Sequence, residues 1–232
     1  MQTTLDHSTF DRSTPGRTIL DHIYAVATEP DPAPQPEENP AAPAPFAAIT
    51  PALIQRLFPF TPLANIAANL PFVLAALAAA GLTDRPMLLA ALATIRAEAE
   101  PFLPLTEAES PFNTAPGGPP FGLYDHRADL GNLGPPDGAL FRGRGYVQLT
   151  GRFNYTRYAA QLALPLITDP ALAAQSQPAA RILAAFLAEK QTPIRAALAA
   201  NDLAHARRLV NGGSNGLDRF TSACEIGTRL LA

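Results

Sequence analysis

Between residues 46 and 100, apolar positions recur at helical spacing, punctuated by proline and small polar residues that read as helix starts. In ITPALIQRLF, Thr50 before Pro51 predicts an N-cap followed by proline at the first helical position. LANIAANL and PFVLAALAAAG predict two further helices, the second starting on Pro71 and closing on Gly81. Thr83 and Asp84 then precede Pro86 and the apolar run MLLAALATIRAEAE, another signalled start. Residues 101 to 140 lose the periodicity, and such length inside a domain is usually functional or disordered. Tyr146 to Thr150 predict a short strand, with Val147 and Leu149 on one face and Tyr146, Gln148 and Thr150 on the other. Helical patterns return in RFNYTRYAAQLAL, PAARILAAFLAEK, IRAALAA, DLAHARRLV and GLDRFTSACEIGTRLL, with no repeat of fixed period. The pattern is that of an α-rich body interrupted by one glycine-bearing central segment.

Composition divides the chain further. Seven of its 25 prolines fall between Pro30 and Pro45, where alternation with Ala, Asp and Glu favours an extended spacer. Before it, TILDHIYAVAT places Ile19, Ile23 and Val26 at near-helical spacing, in a helix too short to stand alone in water. The expected organisation is an N-terminal helical segment over 1–29, a Pro-rich linker over 30–45, and a folded domain over 46–232. At 232 residues and 47% hydrophobic, the chain can bury a core without cross-links. Its one cysteine, Cys224, excludes a disulfide framework and a zinc site of several thiolates, and reads as a small buried hydrophobe. A net charge of −3 argues against a nucleic-acid binder. No run approaches the 18 apolar residues of a spanning helix, so stable membrane insertion is not expected. The N-terminus shows no basic stretch followed by an apolar one, so no Sec signal is visible. His7, His22, His126 and His205 lack metal-ligand spacing, and nothing demands a cofactor.

The candidate chemistry lies around the irregular segment. Leu88, Leu92 and Ile95 mark the buried face of their helix, and Glu98 falls on or beside it, whereas Glu100 sits four residues from Arg96 and suits an exposed ion pair. A glutamate against an apolar face has its pKa raised by desolvation, as a general acid requires; position alone also fits a helix end pointing to solvent. Pro101 and Pro104 stop the helix, and a turn could carry Glu107 or Glu109 back across a cleft. Two carboxylates flanking a gap suit glycosidic hydrolysis, one protonating the leaving oxygen and the other activating water. Spacing does not separate Glu107 from Glu109. In FRGRGYVQLTGRFNY, Gly143 and Gly145 permit close approach, and Asn154 and Tyr155 follow near the polar face of Tyr146, Gln148 and Thr150. Such a row fits sugar hydroxyl and N-acetyl groups or a positioned water, and equally a solvated hairpin edge. Arg142, Arg144 and Arg152 are expected to bind carboxylates or shape the cleft, since no P-loop ending follows.

GRGYVQLTGRFNY resembles the signature of glycoside hydrolase family 19, which contains chitinases and phage-type endolysins of lysozyme-like fold. YDHRADLGNLGPPDGALFRGRG is similar to that family's bacterial and phage branch, and RRLVNGGSNGLDRF resembles its NGG loop and following arginine. The resemblance covers roughly residues 47 to 232. It implies a mainly α, two-lobed lysozyme-like fold with a small central β element. It also implies metal-independent cleavage of β-1,4 bonds in an N-acetylglucosamine polymer, peptidoglycan before chitin. Position by position, Glu98 matches the general acid, Glu107 the general base, and Thr150 the hydroxyl that holds the water. Tyr146, Gln148, Asn154 and Tyr155 fall in the substrate-cleft segment, and Asn211 and Arg219 match the asparagine and arginine that support the cleft. The family inverts configuration, which implies carboxyl groups about 6.5–9.5 Å apart. Where the family often carries His-Glu, a small residue and Gly-Gly, this chain has Ala97-Glu98-Ala99-Glu100-Pro101, which motivates the alternative of a carbohydrate-binding protein without turnover. The implied setting is synthesis in a bacterial cytoplasm and action at the wall or outside the cell, by an unstated route. A protein partner for residues 1–29 is not legible.

Overall fold

The computed structural model describes residues 39–231 apart from 212 and 214. The N-terminal helical segment, most of the linker and the side chain of Asn211 lie outside the described residues.

The first helical starts form as their caps dictate. Thr50 Oγ1 accepts from the Leu53 amide at 3.2 Å to open α1 (Pro51–Gln55), and Asp84 Oδ1 accepts from Met87 at 3.2 Å to open α3 (Arg85–Glu98). Between them, the two expected helices are one continuous helix, α2 (Leu63–Ala79), with Pro71 in its interior. Pro71 removes one backbone donor, but the buried face of Ile66, Leu70, Val73, Leu74 and Leu77 runs through it without a break. Continuous burial outweighs the local cost. α2 ends as expected at Gly81, where Leu82 N donates back to Leu77 O at 2.9 Å.

Residues 101–140 are mostly irregular, with 3-10 turns at Gly122–Tyr124 and Ala128–Leu130 and a single helical turn, α4 (Asp137–Leu140). The β element is smaller than the pattern predicts. β1 (Leu105–Thr106) pairs antiparallel with β2 (Arg144–Gly145), Leu105 opposite Gly145 and Thr106 opposite Arg144. The expected strand over Tyr146–Thr150 is instead a tight turn: Arg144 and Leu149 exchange backbone hydrogen bonds of 3.2 and 2.8 Å. The cause is two left-handed residues, Gly145 (φ +78°) and Gln148 (φ +50°), which reverse the chain and end the in–out alternation. At Gly145 a Cβ would also stand 2.7 Å from Ala173 O, so the turn is closed to other residues.

The C-terminal helices follow the pattern: α5 (Arg152–Leu162), α6 (Ser176–Glu189), α7 (Gln191–Ala199), α8 (Leu203–Asn211) and α9 (Leu217–Leu230). α2 packs along α6 and α3 along α9, around a core that includes Ile66, Leu77, Leu92, Ile95 and Leu183. A small-residue core of Ala93, Ala197, Ala206, Ala223 and Cys224, with Phe220, joins α3 to α7, α8 and α9. A second core, Phe141, Leu149, Tyr155, Tyr158, Leu166 and Ile182, supports the other lobe. The fold is mainly α and two-lobed, with the β element between. Among the described residues, no helix is long and apolar enough to cross a membrane.

Candidate active site

Glu107 follows β1 directly, so the pairing of β1 with the chain at Gly143–Gly145 fixes its place. Its amide donates to Gly143 O at 2.8 Å, and Gly143 N donates to its Oε2 at 2.9 Å. On the other oxygen, Oε1 accepts from Asn113 Nδ2 at 3.0 Å and from the Tyr124 hydroxyl at 2.9 Å. Asn113 is fully buried and is itself oriented: its Oδ1 accepts from Ser110 N and Thr114 Oγ1. Burial, helped by the neighbouring Glu107 carboxylate, pushes the Tyr124 hydroxyl up to about 12, so it remains a donor throughout the neutral range. Three donors thus hold one carboxylate in one orientation. Glu109, by contrast, is exposed.

Three side-chain oxygens meet at Gly143. A Cβ there would lie 2.8 Å from Gln148 Oε1, 3.1 Å from Glu107 Oε2 and 3.2 Å from Thr150 Oγ1. Glycine is what allows this convergence. Gln148 Nε2 donates to Leu105 O (3.1 Å) and Gly145 O (3.0 Å), which turns its Oε1 toward the cluster. Thr150 Oγ1 donates to Gln148 O at 2.8 Å, so its lone pairs are the part turned to an incoming donor. Asn154 Nδ2 ties to Thr150 O at 2.8 Å, fixing the start of α5 against the same turn.

Glu98 is the last residue of α3 and is not set against an apolar wall as the pattern suggests. Its Oε1 accepts from Arg207 Nη2 at 2.6 Å, the side chains being 22% and 1% exposed. Arg207, on α8, also donates to Asn215 O from Nε at 2.8 Å. The apolar face of α3 stops at Ile95, and the final turn meets the guanidinium carried in by α8. Glu100 pairs with Arg96, the expected i,i+4 partner, and stands 3.5 Å from Arg219 Nη1. Arg219 is therefore half-exposed beside Glu100, and the residue on Glu98 is Arg207. Asn211 ends α8, four residues beyond Arg207.

Tyr146 and Tyr155 do not line the cleft. Both are fully buried: Tyr146 donates to Asn69 Oδ1 at 3.2 Å, and Tyr155 to Arg142 O at 2.9 Å. The turn that replaces the expected strand sends Tyr146 inward, and Tyr155 lies on the core face of α5. The three arginines divide likewise. Arg142 and Arg144 brace the carbonyls of Ala139 and Leu140, and Arg152 takes the buried Asp137 carboxylate through Nε and Nη2 at 2.7 and 2.5 Å. Cys224 is buried, and burial pushes its thiol up to about 12, which suits the small hydrophobe expected. No group of side chains suited to a metal ion occurs among the described residues.

Asn113, Tyr124 and Arg207 escaped the sequence reading. Tyr124 opens the YDHRADLGN stretch and Arg207 opens RRLVNGG, so both lay inside singled-out motifs; Asn113 carried no signal.

Among solved structures the chain is similar to chitinase C from Streptomyces griseus HUT6037, with a TM-score of 0.53 and 21% identity over 78% of this chain and 76% of that one. A glutamate-to-glutamine mutant of chitinase C matches with a TM-score of 0.54, at the same identity and coverage. The chain has the fold of chitinase C. At this identity the likeness is one of fold. No known family model matches the sequence, and no curated protein does.

Proposed function

We propose that the protein is a glycoside hydrolase of the family 19 type, cleaving β-1,4 bonds in an N-acetylglucosamine-containing polysaccharide. The observation that carries this reading is the convergence of Glu107 Oε2, Gln148 Oε1 and Thr150 Oγ1 at Gly143, on a chitinase-like fold. A water bound in front of these oxygens donates one hydrogen to Glu107 and the other to Thr150 or Gln148. Its oxygen lone pair then faces away from the three acceptors, toward the sugar carbon. Glu107 is the general base and takes the proton as the water attacks. Glu98 is the general acid and protonates the leaving oxygen through the carboxyl oxygen that Arg207 does not occupy. Attack opposite the leaving group inverts the anomeric centre. Gln148 and Asn154 are the substrate-cleft residues retained from the motif, and Asn211 and Arg219 keep the supporting part that the family resemblance gives them. Peptidoglycan is favoured over chitin, with action at the wall or outside the cell.

One observation favours a second reading, a carbohydrate-binding protein without turnover. Glu98 engages the buried Arg207 guanidinium, and the chain has neither the histidine nor the glycines that often flank the acid in the family. Digests of purified peptidoglycan and chitin oligosaccharides, followed by proton NMR within the first minutes, separate the two. The hydrolase reading predicts new reducing ends that begin as the α-anomer. Binding of either polymer with no product contradicts it.

A further inference from the structure

A hollow of about 350 Å³ adjoins the catalytic turn, bounded on one side by Gln148, Thr150 and Asn154. Its lining also carries charge. Arg157 of α5 pairs with Glu189 at the end of α6, Nη2 to Oε2 at 3.0 Å, and Lys190 follows at the α6–α7 junction. Glu189 also acts on the Tyr158 hydroxyl, whose pKa is raised chiefly by burial. The Lys190 ammonium donates to a main-chain carbonyl, Leu209 O at 2.8 Å, and lies 4.2 Å from the centre of the Phe186 ring. Gln148 and Thr150 line the hollow and also meet Glu107 Oε2 at Gly143, so the hollow borders the proposed general base. Arg157 is half-exposed, with guanidinium N–H groups to spare beyond the one on Glu189.

Two cations face one carboxylate beside the proposed cleavage point. A neutral chain of N-acetylglucosamine offers hydroxyls and amides, which Gln148, Thr150 and Asn154 suit, but gives an excess positive charge nothing to bind. Burial lowers the Lys190 ammonium pKa, a cost that an incoming anion offsets. We propose that this hollow binds a carboxylate carried on the polysaccharide next to the scissile bond, with Lys190 and Arg157 as its partners. The inference rests on the glycosidase reading and narrows it to an acid-bearing N-acetylglucosamine polymer. The carboxylate can sit on a lactyl ether of the sugar itself or on a peptide attached to it; the chemistry recognised is the same.

The test compares kcat/KM for wild type, Lys190→Met, Lys190→Arg and Arg157→Gln on three soluble substrates. These are chitin oligosaccharides, peptide-free glycan strands with free lactyl carboxylates, and the same strands with peptides attached. The expected result is a loss of about 10-fold or more for Lys190→Met, and a smaller loss for Arg157→Gln, on at least one acidic substrate. Lys190→Arg retains activity on it, and all three variants stay within about twofold of wild type on chitin oligosaccharides. The acidic arm that responds identifies the carboxylate. Equal losses on neutral and acidic substrates, or no loss in Arg157→Gln and Lys190→Met alike, overturn the proposal while leaving the glycosidase standing. A wild-type protein that cleaves none of the three overturns the glycosidase reading itself. Arg157 is half-exposed, so its variant reports even if Lys190→Met fails to fold.

Discussion

The Tyr124 hydroxyl donates to Glu107 Oε1 at 2.9 Å, across 17 residues of irregular chain. Tyr124 is itself held by Asn132, whose Nδ2 donates to its carbonyl at 2.8 Å and whose Oδ1 accepts from Arg152 N at the start of α5. The irregular segment is thus tied at two points to the motif that carries Gln148 and Thr150. In the proposed reading its role is to hold the general base still. Tyr124→Phe keeps the ring and removes the donor. The expected outcome is a fall in kcat of about 10-fold with KM changed by less than about twofold, because orientation rather than binding is lost. Steady-state kinetics on a soluble oligosaccharide checks the split; a rise in KM alone would assign Tyr124 to substrate binding.

Glu107 and Glu109 separate cleanly in their surroundings, one carrying three donors and the other exposed. Glu107→Gln is expected to lower kcat by about 10²–10⁴-fold, the usual worth of a general base, and Glu109→Gln to leave it within about twofold. Side-by-side turnover of the two purified variants decides. An inactive Glu109→Gln beside an active Glu107→Gln would reverse the assignment.

Gly143→Ala probes the convergence directly. The new methyl meets Gln148 Oε1 first, at 2.8 Å, then Glu107 Oε2 and Thr150 Oγ1. Only Gln148 Oε1, the end of a side chain, falls under 3.0 Å and has to give against its two hydrogen bonds, so the expected loss of stability is about 1–2 kcal/mol. Displacing the oxygens by even 1 Å is expected to cost about 100-fold in turnover. Calorimetry with kinetics checks the contrast; unchanged turnover would mean that the three oxygens do not act together.

Far from the site, Asp84 ties the helix that ends in Glu98 to α7. The hydrogen bond from Arg195, at 2.7 Å from Nη2, holds its carboxyl below the usual 3.8; the Met87 amide adds to this and burial opposes it. Because the folded pKa lies below the unfolded one, the stabilisation is present above pH 3.8 and fades as pH falls through the folded value. The side chain is 38% exposed, so the capping effect sets the scale: Asp84→Ala is expected to cost about 1 kcal/mol at neutral pH. Denaturant melts at pH 7 and pH 2.5 check it. The gap between wild type and variant narrows at the lower pH, and a gap that widens there contradicts the sign.

The helices were legible because their caps and apolar faces are local: Thr50, Asp84 and the α3 stripe all act within a few residues of themselves. Pro71 sits inside α2 and not at a helix start because burial along α2, a tertiary effect, overrides the local cost of proline. The five-residue strand failed because alternation cannot reveal that Gln148 adopts a left-handed conformation. Motif order proposes Glu98 and Glu107 as a pair, but the surroundings of neither are legible in it. Arg207 reaches Glu98 from 109 residues away, and Asn113 reaches Glu107 through a loop with no periodicity. Partners brought together by tertiary folding leave little trace in spacing.

In the proposed reaction Glu98 donates the proton that releases the leaving sugar. Glu98→Gln keeps an oxygen that can accept from Arg207, so the fold is expected to survive and substrate to bind. The deciding measurement is the rate of reducing-end release by wild type and Glu98→Gln from purified peptidoglycan and from chitin oligosaccharides. A cleaving wild type and a variant slower by about 10²–10⁴-fold, still folded and still binding the polymer, is the predicted result. Wild-type turnover by Glu98→Gln would contradict it.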